Sequence, residues 1–234
     1  MADFLILHGW GGNKPAHWQE WLAGELTAAG HTAHAPKMAD PTNPDPAVWM
    51  ALIHEALGVM PEDTDLTVLT HSMGAVNWMR HAAMSQDAGF VRPGSVAARA
   101  LLVALPYVVP EIPPLDLAAT AAFFPPVLSP AGLKAVGRGT VSIAPDNDPL
   151  IRTVIRHGTS PAAYAAGLGL EAQKLPGSGQ VSPCCGYGEW PWVRDWRLGR
   201  ASLPPLPNQC RTRDCGSCLW IYREQARPRP AFFA

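Results

Sequence analysis

Residues 65–84 read DLTVLTHSMGAVNWMRHAAM, and this stretch decides the fold class. Its first part, DLTVLT, is a short apolar run with β-branched side chains, which predicts a buried strand. The following MGAVNWMRHAAM has the apolar spacing of a helix. A strand that turns sharply into a helix at Ser72 pushes the serine hydroxyl into the open. The stretch therefore predicts a strand–serine–helix turn that can present a nucleophile.

The residues around Ser72 fit such a turn with one exception. Gly74 leaves room for it, whereas Thr70 stands where glycine is usual and brings a β-branched side chain. The backbone N–H of Met73 and the helix N-terminus would face any negative charge that forms at the serine, as in an oxyanion hole. The alternative is that Ser72 serves only as a helix N-cap.

Short apolar runs and helical patterns alternate along the rest of the chain. This alternation predicts an α/β fold with three layers, in which a mostly parallel twisted sheet carries helices on both faces. Ligands of such sheets bind outside the carboxyl ends of the strands, so the loops after the strands are the candidate site. We expect strands at residues 3–7, 65–70, 99–105, 140–144 and 171–175, with a weaker strand in HTAHAPK after the first helix.

The loop LHGWGG after the first strand is the second candidate element. Its glycines let the backbone approach a ligand closely, so we expect Gly9 and Gly11 to line a pocket. The N–H of Trp10 or of Gly11 would supply the second oxyanion donor. His8 is expected beside the pocket as a structural hydrogen-bonding residue. A dinucleotide site is not favoured, because the pattern G-x-G-x-x-G is absent here.

The segment SIAPDNDPL places acidic residues at the end of a late strand. A carboxylate there orients a catalytic histidine in the chain order Ser…Asp…His. We choose Asp148 for this role and keep Asp146 as the alternative. The simpler interpretation is a turn whose acidic residues begin a helix.

Composition excludes few classes but favours an ordinary globular enzyme or binding protein. Apolar residues make up 47% of the chain, charged residues 16%, and the formal net charge is −1, which gives no reason to expect nucleic acid or an anionic membrane as partner. No apolar run is long enough to span a bilayer, and MADFLILHGW lacks the features of a signal peptide. We therefore expect a soluble cytoplasmic protein without a cofactor or a metal.

The composition changes near residue 200. We predict one domain over residues 1–200 and a C-terminal extension over residues 201–234 that is rich in Pro, Arg and Cys and poorly ordered. Its Cys210, Cys215 and Cys218 have spacing found among iron–sulfur ligands, and Cys184 or Cys185 would have to complete a zinc site. This metal hypothesis is an alternative to a metal-free extension.

Four motifs in order carry a family resemblance. FLILHGWGG with HW after it, HSMG, DNDP and GSGQVSPCCGYGEWP together resemble the small single-domain α/β hydrolases related to retinoblastoma-binding protein nine. The resemblance covers about residues 3–200 and implies a serine hydrolase of esterase type. The family pattern maps its nucleophile onto Ser72 and its acid onto Asp148, and its catalytic histidine falls on position 180. This chain has Gln180 there.

Glutamine removes the proton shuttle that the family mechanism needs. A serine hydroxyl needs a base, and an amide has no useful basicity. No histidine lies C-terminal of His157, and His8 is the nearest stand-in. We predict an esterase for small acyl substrates with impaired or absent turnover. The alternatives are an inactive family member that acts as a binding protein, with a protein partner of unknown identity, and a sequence variant of an active parent.

Overall fold

A computed structural model describes residues 1–87, 99–106, 122–123, 131, 133, 139–148 and 160–197. Six strands form one sheet with the order β2-β1-β3-β4-β5-β6, and every neighbouring pair is parallel. The predicted α/β class is therefore confirmed. The strands are β1 (Asp3–Leu7), β2 (Thr32–His34), β3 (Leu66–His71), β4 (Arg99–Val103), β5 (Thr140–Pro145) and β6 (Glu171–Leu175).

Five α-helices and one short 3₁₀ helix lie within the described residues, and the 3₁₀ helix and the last α-helix follow the last strand. The helices are α1 (Trp18–Ala28), α2 (Pro46–Gly58), α3 (Met73–Asp87), α4 (Pro161–Gly167) and α5 (Pro191–Arg197), and the 3₁₀ helix is Pro183–Cys185. Local sequence explains where α2 begins. The carboxylate of Asp45 accepts the Ala47 N–H at 2.7 Å, and the proline that follows Asp45 lacks the N–H that a first helical residue would leave unpaired.

The side chains of the central strands alternate between two cores. Leu5 and Leu7 of β1 pack with residues of α2 and α3, whereas Phe4 and Ile6 pack with residues of α1 and α5. Because successive side chains of a strand point to opposite faces, the sheet is covered on both sides. The three-layer prediction is thereby confirmed.

Two predicted features fall outside the described residues. These are the C-terminal extension over residues 201–234 and His157, the last histidine of the chain. Among the described residues, no helix combines the length and the apolar character that crossing a membrane requires.

Candidate active site

Ser72 occupies a strained turn between β3 and α3. Its φ is +53°, a left-handed conformation that side chains rarely adopt and that costs on the order of 1 kcal/mol. Two hydrogen bonds hold the turn: Ser72 N–H donates to the Val103 carbonyl, and Ala75 N–H donates to the Ser72 carbonyl, both at 2.9 Å. The residue is only 5% exposed. The turn forms with Thr70 in place, whose hydroxyl donates to the Leu101 carbonyl at 3.2 Å.

Two glycines let the neighbouring backbone reach this turn. A Cβ on Gly74 would lie 2.4 Å from the carbonyl oxygen of Leu7 and 2.7 Å from that of His8. A Cβ on Gly9 would lie 2.9 Å from the Cβ of Ser72. Real Cβ atoms do not approach other atoms so closely, so only glycine allows α3 and the loop after β1 to pack against the serine.

The two candidate oxyanion donors, Met73 and Trp10, belong to the segments that follow Ser72 and Gly9. Met73 is the first residue of the 15-residue helix α3, so its N–H belongs to the helix N-terminus. Trp10 follows Gly9, and its buried ring is fixed by donation from Nε1 to the Thr42 carbonyl at 3.0 Å. The Gly11 N–H donates to the Pro41 carbonyl at 2.7 Å. Of the two alternatives in this loop, Trp10 is therefore favoured over Gly11.

His8 has both ring nitrogens engaged. Nε2 accepts the Met38 N–H at 3.2 Å, so the ring proton is on Nδ1, which donates to the Gly9 carbonyl at 2.8 Å. Burial lowers the pKa of His8, which keeps the ring neutral. With its lone pair already used, His8 has no nitrogen left to take the proton of Ser72.

The loop after β5 is tied to the loop after β6 by two consecutive side chains. Asp146 accepts the Gly177 N–H at 2.8 Å, and Asn147 accepts the Gly179 N–H at 2.7 Å. Asp146 is exposed, whereas Asp148 is only 2% exposed. Burial therefore distinguishes the two acidic candidates, and the acid role of Asp148 stays a prediction.

Gln180 reaches the nucleophile. Its side-chain Nε2 donates to Ser72 Oγ across 3.4 Å, and the residue is only 1% exposed. The stretch of chain between Ser72 and Gln180 spans 108 positions, yet the structure brings the two side chains into contact. The side chain at position 180 is therefore within reach of the Ser72 hydroxyl, and the group found there is an amide.

The backbone around Gln180 is held by several hydrogen bonds. Its carbonyl accepts from His71 Nε2 at 2.7 Å, and the next carbonyl, of Val181, accepts from Trp18 Nε1 at 3.1 Å. Val181 itself has a φ of +52°, and its N–H donates to the Ser178 carbonyl at 3.1 Å. A buried β-branched residue in the left-handed region persists only where the surrounding structure imposes it.

His71 and His17 form a buried pair beside these contacts. Their rings lie 4.8 Å apart, centroid to centroid. Burial is the main reason that the pKa of His71 falls to about 4, although the Gln180 carbonyl opposes the shift. Burial, with repulsion from His71 and His8, lowers the pKa of His17 to about 2. Both rings are therefore neutral at physiological pH.

The sequence did not single out His71 or Trp18 as parts of the site. Each bonds to a backbone carbonyl, at sequence separations of 109 and 163 residues. A carbonyl acceptor has no side-chain signature, so only the HSMG motif itself drew attention to this histidine.

The described residues hold no group of three or more His, Cys, Asp or Glu side chains suited to a metal ion. Cys184 is disulfide-bonded and Cys185 is a buried free thiol. A disulfide engages the sulfur that a zinc site would need from Cys184. Cys210, Cys215 and Cys218 lie outside the described residues.

Comparison with protein-family models gives one match. The family described as "Serine hydrolase" matches residues 4–197. No curated protein sequence matches the chain.

Solved structures from several organisms have the same fold. The ydeN gene product of B. subtilis superposes with a TM-score of 0.69 at 17% identity, covering 86% of this chain and 98% of that one. Est1E of Butyrivibrio proteoclasticus, solved with ferulic acid, gives 0.55 at 12% identity, covering 86% and 89%. The methylesterase MES16 of Arabidopsis gives 0.52 at 15% identity, covering 86% and 98%. At these identities the likeness shows the fold alone.

Proposed function

The chain belongs to the serine hydrolase family, and we propose that its Ser72 site is of esterase type, built for small acyl substrates and impaired in turnover by Gln180. The narrower relation to the group of retinoblastoma-binding protein nine stays a prediction from the motifs. So do the cytoplasmic location and a protein partner.

In the proposed mechanism, Ser72 Oγ attacks the ester carbonyl carbon and the carbonyl oxygen becomes an oxyanion. The N–H groups of Trp10 and Met73 donate to that oxygen, and the N-terminus of α3 favours its charge. Collapse of the tetrahedral intermediate releases the alcohol and leaves an acyl group on Ser72. Water then attacks the acyl group and releases the acid.

Both halves of this reaction need a proton carrier. A histidine at position 180, oriented by Asp148, would take the proton from Ser72 Oγ, give it to the leaving alcohol and later activate the water. The amide of Gln180 can only donate and accept hydrogen bonds. Loss of the base leaves oxyanion stabilisation and binding, which together retain a small residual rate.

One observation carries the proposal: the side chain of residue 180 lies within 3.4 Å of Ser72 Oγ. The contact joins the predicted nucleophile to the predicted base position. Because the backbone at residue 180 is held by neighbours rather than by its own side chain, we expect that a histidine there would face the same serine.

A fluorophosphonate probe tests the proposal, because it reacts only with an activated serine. We expect the Gln180→His chain to label at least about 10³-fold faster than the native chain, the size of effect that a triad member has. Adding Ser72→Ala should abolish the labelling. Gln180→Asn, another amide of no basicity, is the matched control and should stay unreactive. A Gln180→His chain that labels no faster than the native one would falsify the triad assignment.

A second candidate function is a binding protein that keeps the pocket without turnover. It is favoured by the same glutamine, since the oxyanion loop and the serine turn are both formed while the base is missing. The two functions separate on the native chain: slow, Ser72-dependent release of acid from p-nitrophenyl acetate supports a residual enzyme. A native rate equal to that of Ser72→Ala supports the binding protein.

A further inference from the structure

We propose that His71 is a positioning residue: its Nε2–H, bonded to the carbonyl of residue 180, sets where the side chain of residue 180 stands relative to Ser72 Oγ. This inference rests on the proposed function of the Ser72 site and adds a residue to it. His71 itself does not touch substrate.

The bond joins the two halves of the site directly. His71 Nε2 lies 2.7 Å from the Gln180 carbonyl oxygen, a short and buried contact. His71 is the last residue of β3 and is bonded covalently to Ser72, whose N–H is fixed to the Val103 carbonyl. The nucleophile and the anchor of residue 180 therefore belong to one rigid unit of the central sheet.

The direction of the bond requires a proton on Nε2, and burial keeps the ring neutral. A carbonyl oxygen only accepts, so Nε2 must donate. The rings of His17 and Trp18 face the His71 ring at 4.8 Å and 6.3 Å, and His8 is close enough to help lower the pKa of His71. Burial lowers the pKa values of His8 and His17 as well, so both of these neighbours are neutral. A Cβ at Gly9 would approach His71 Nδ1 to 3.4 Å.

The loop needs such an anchor because its backbone is strained. Val181 is fully buried in the left-handed region, directly after the carbonyl that His71 holds. Trp18 holds the following carbonyl. Without the His71 bond, the strained residue is free to relax, and the side chain of residue 180 turns with it.

A matched pair of substitutions isolates the hydrogen bond. His71→Gln keeps an N–H donor at about the reach of Nε2, whereas His71→Asn is shorter by one methylene and leaves the carbonyl of residue 180 unpaired. Both side chains are polar and uncharged, so they differ mainly in reach. His71→Leu, which suits the buried position, replaces His71→Asn if the asparagine chain does not fold.

The first test needs no activity. In the crystal structure of the native chain with His71→Asn, we expect the distance from Gln180 Nε2 to Ser72 Oγ to grow from 3.4 Å by about 1 Å, which is beyond hydrogen-bond range. With His71→Gln the contact should stay near the 3.4 Å found here. An unchanged contact in the His71→Asn chain overturns the proposal.

The second test separates positioning from stability. In a Gln180→His background, His71→Asn should lower kcat for p-nitrophenyl acetate by about 10-fold to 100-fold with KM nearly unchanged, since a displacement near 1 Å can cost this much. His71→Gln should restore most of the rate. The control His81→Leu removes another buried histidine, on α3, and should lower the melting temperature without lowering kcat.

The outcomes also separate this inference from the proposed function. An inactive Gln180→His chain defeats the proposed function, and the crystallographic distance still decides the role of His71. An active Gln180→His chain whose kcat is equal with His71→Asn and His71→Gln defeats the positioning role alone.

Discussion

The turn at Ser72 and the loop at Gln180 are built alike but carry different chemistry. Each contains a buried non-glycine residue in the left-handed region, Ser72 at φ +53° and Val181 at φ +52°. Each is held by hydrogen bonds from neighbouring elements. The first turn presents the hydroxyl that a hydrolase needs, whereas the second presents an amide where the family resemblance expects an imidazole.

In this site, the residues that fix the backbone geometry are not the residue whose side chain would carry the chemistry. The loop at Gln180 is fixed by the residue's carbonyl and by the N–H groups of its neighbours. These bonds use backbone atoms of the loop, which any side chain at position 180 would also supply. In the proposed mechanism, a change of this one side chain would remove turnover and leave the hydrogen bonds of the backbone in place.

The largest predicted effect is on kcat and comes from replacing the candidate acid, Asp148. In the Gln180→His chain, Asp148→Asn should lower kcat by about 10³-fold to 10⁴-fold, because the histidine loses its orienting carboxylate. Asp146→Asn should change kcat only a few-fold, because Asp146 accepts a loop N–H and is exposed. Steady-state ester hydrolysis measures both. Equal losses from the two substitutions would remove Asp148 from its assigned role.

The serine turn should tolerate an added side-chain carbon less well than an exposed helix position does. Gly74→Ala would put a Cβ 2.4 Å from a backbone oxygen, and we expect a loss on the order of 3 kcal/mol in the free energy of unfolding. Gly24→Ala, in α1, is the control: nothing lies within 4 Å of the added Cβ, and alanine should stabilise the helix by about 0.5–1 kcal/mol. Urea unfolding measures both. A harmless Gly74→Ala would mean that α3 does not pack as closely as described.

Lowering the pH should lower the free energy of unfolding, because His71 and His17 are buried and neutral beside the Ser72 turn and the Gln180 loop. Burial holds the pKa of His71 near 4 and that of His17 near 2, both below the ordinary 6.5. As pH falls below 6.5 the unfolded chain takes up protons that the folded chain refuses, so stability falls with pH. Lowering the pH from 7 to 5 should cost roughly 2 kcal/mol for each of these histidines.

Urea midpoints at pH 7, 6 and 5 measure this loss. The His81→Leu chain subtracts a third buried histidine, whose pKa burial also lowers to about 4. Its stability should therefore depend less steeply on pH. A native chain equally stable at pH 7 and pH 5 would contradict the neutral, buried state of these rings.

The smallest expected effect measures the strain at the nucleophile itself. Ser72→Gly should raise the free energy of unfolding by about 0.5–1 kcal/mol, because glycine adopts a positive φ without penalty. Ser72→Ala keeps the strain and should change stability by less than about 0.5 kcal/mol. Chemical denaturation distinguishes the two. Equal stabilities would show that the turn stores no strain.

The local features of the fold were predictable from sequence. The strands predicted at residues 3–7 and 171–175 have those bounds, and the strand predicted at 65–70 is displaced by one residue. Central strands that are buried on both faces are apolar almost throughout, so they are easy to recognise in the sequence. The order of the six strands was not predictable. Strand–helix alternation indicates that neighbouring strands are parallel, but it does not indicate which strands are neighbours.

The candidate site was predictable in its side chains but not in its supports. Ser72, Asp148 and position 180 emerged from motifs, and their roles remain proposals. The bonds from His71 and Trp18 end on backbone carbonyls more than a hundred residues away. The left-handed Val181 gave no signal either, since nothing in valine favours that conformation. Such features arise from tertiary packing and leave no local pattern.

The backbone anchoring of residue 180 has a consequence for how the protein fares in a cell. Chaperones and proteases respond to the population of unfolded chain, and that population depends on stability rather than on turnover. Since the glutamine fills its place without disturbing the loop, the chain should accumulate as well as a histidine-bearing counterpart does. The abundance of the protein would then not report on its catalytic activity. The glutamine and histidine forms would differ only in their turnover of substrate.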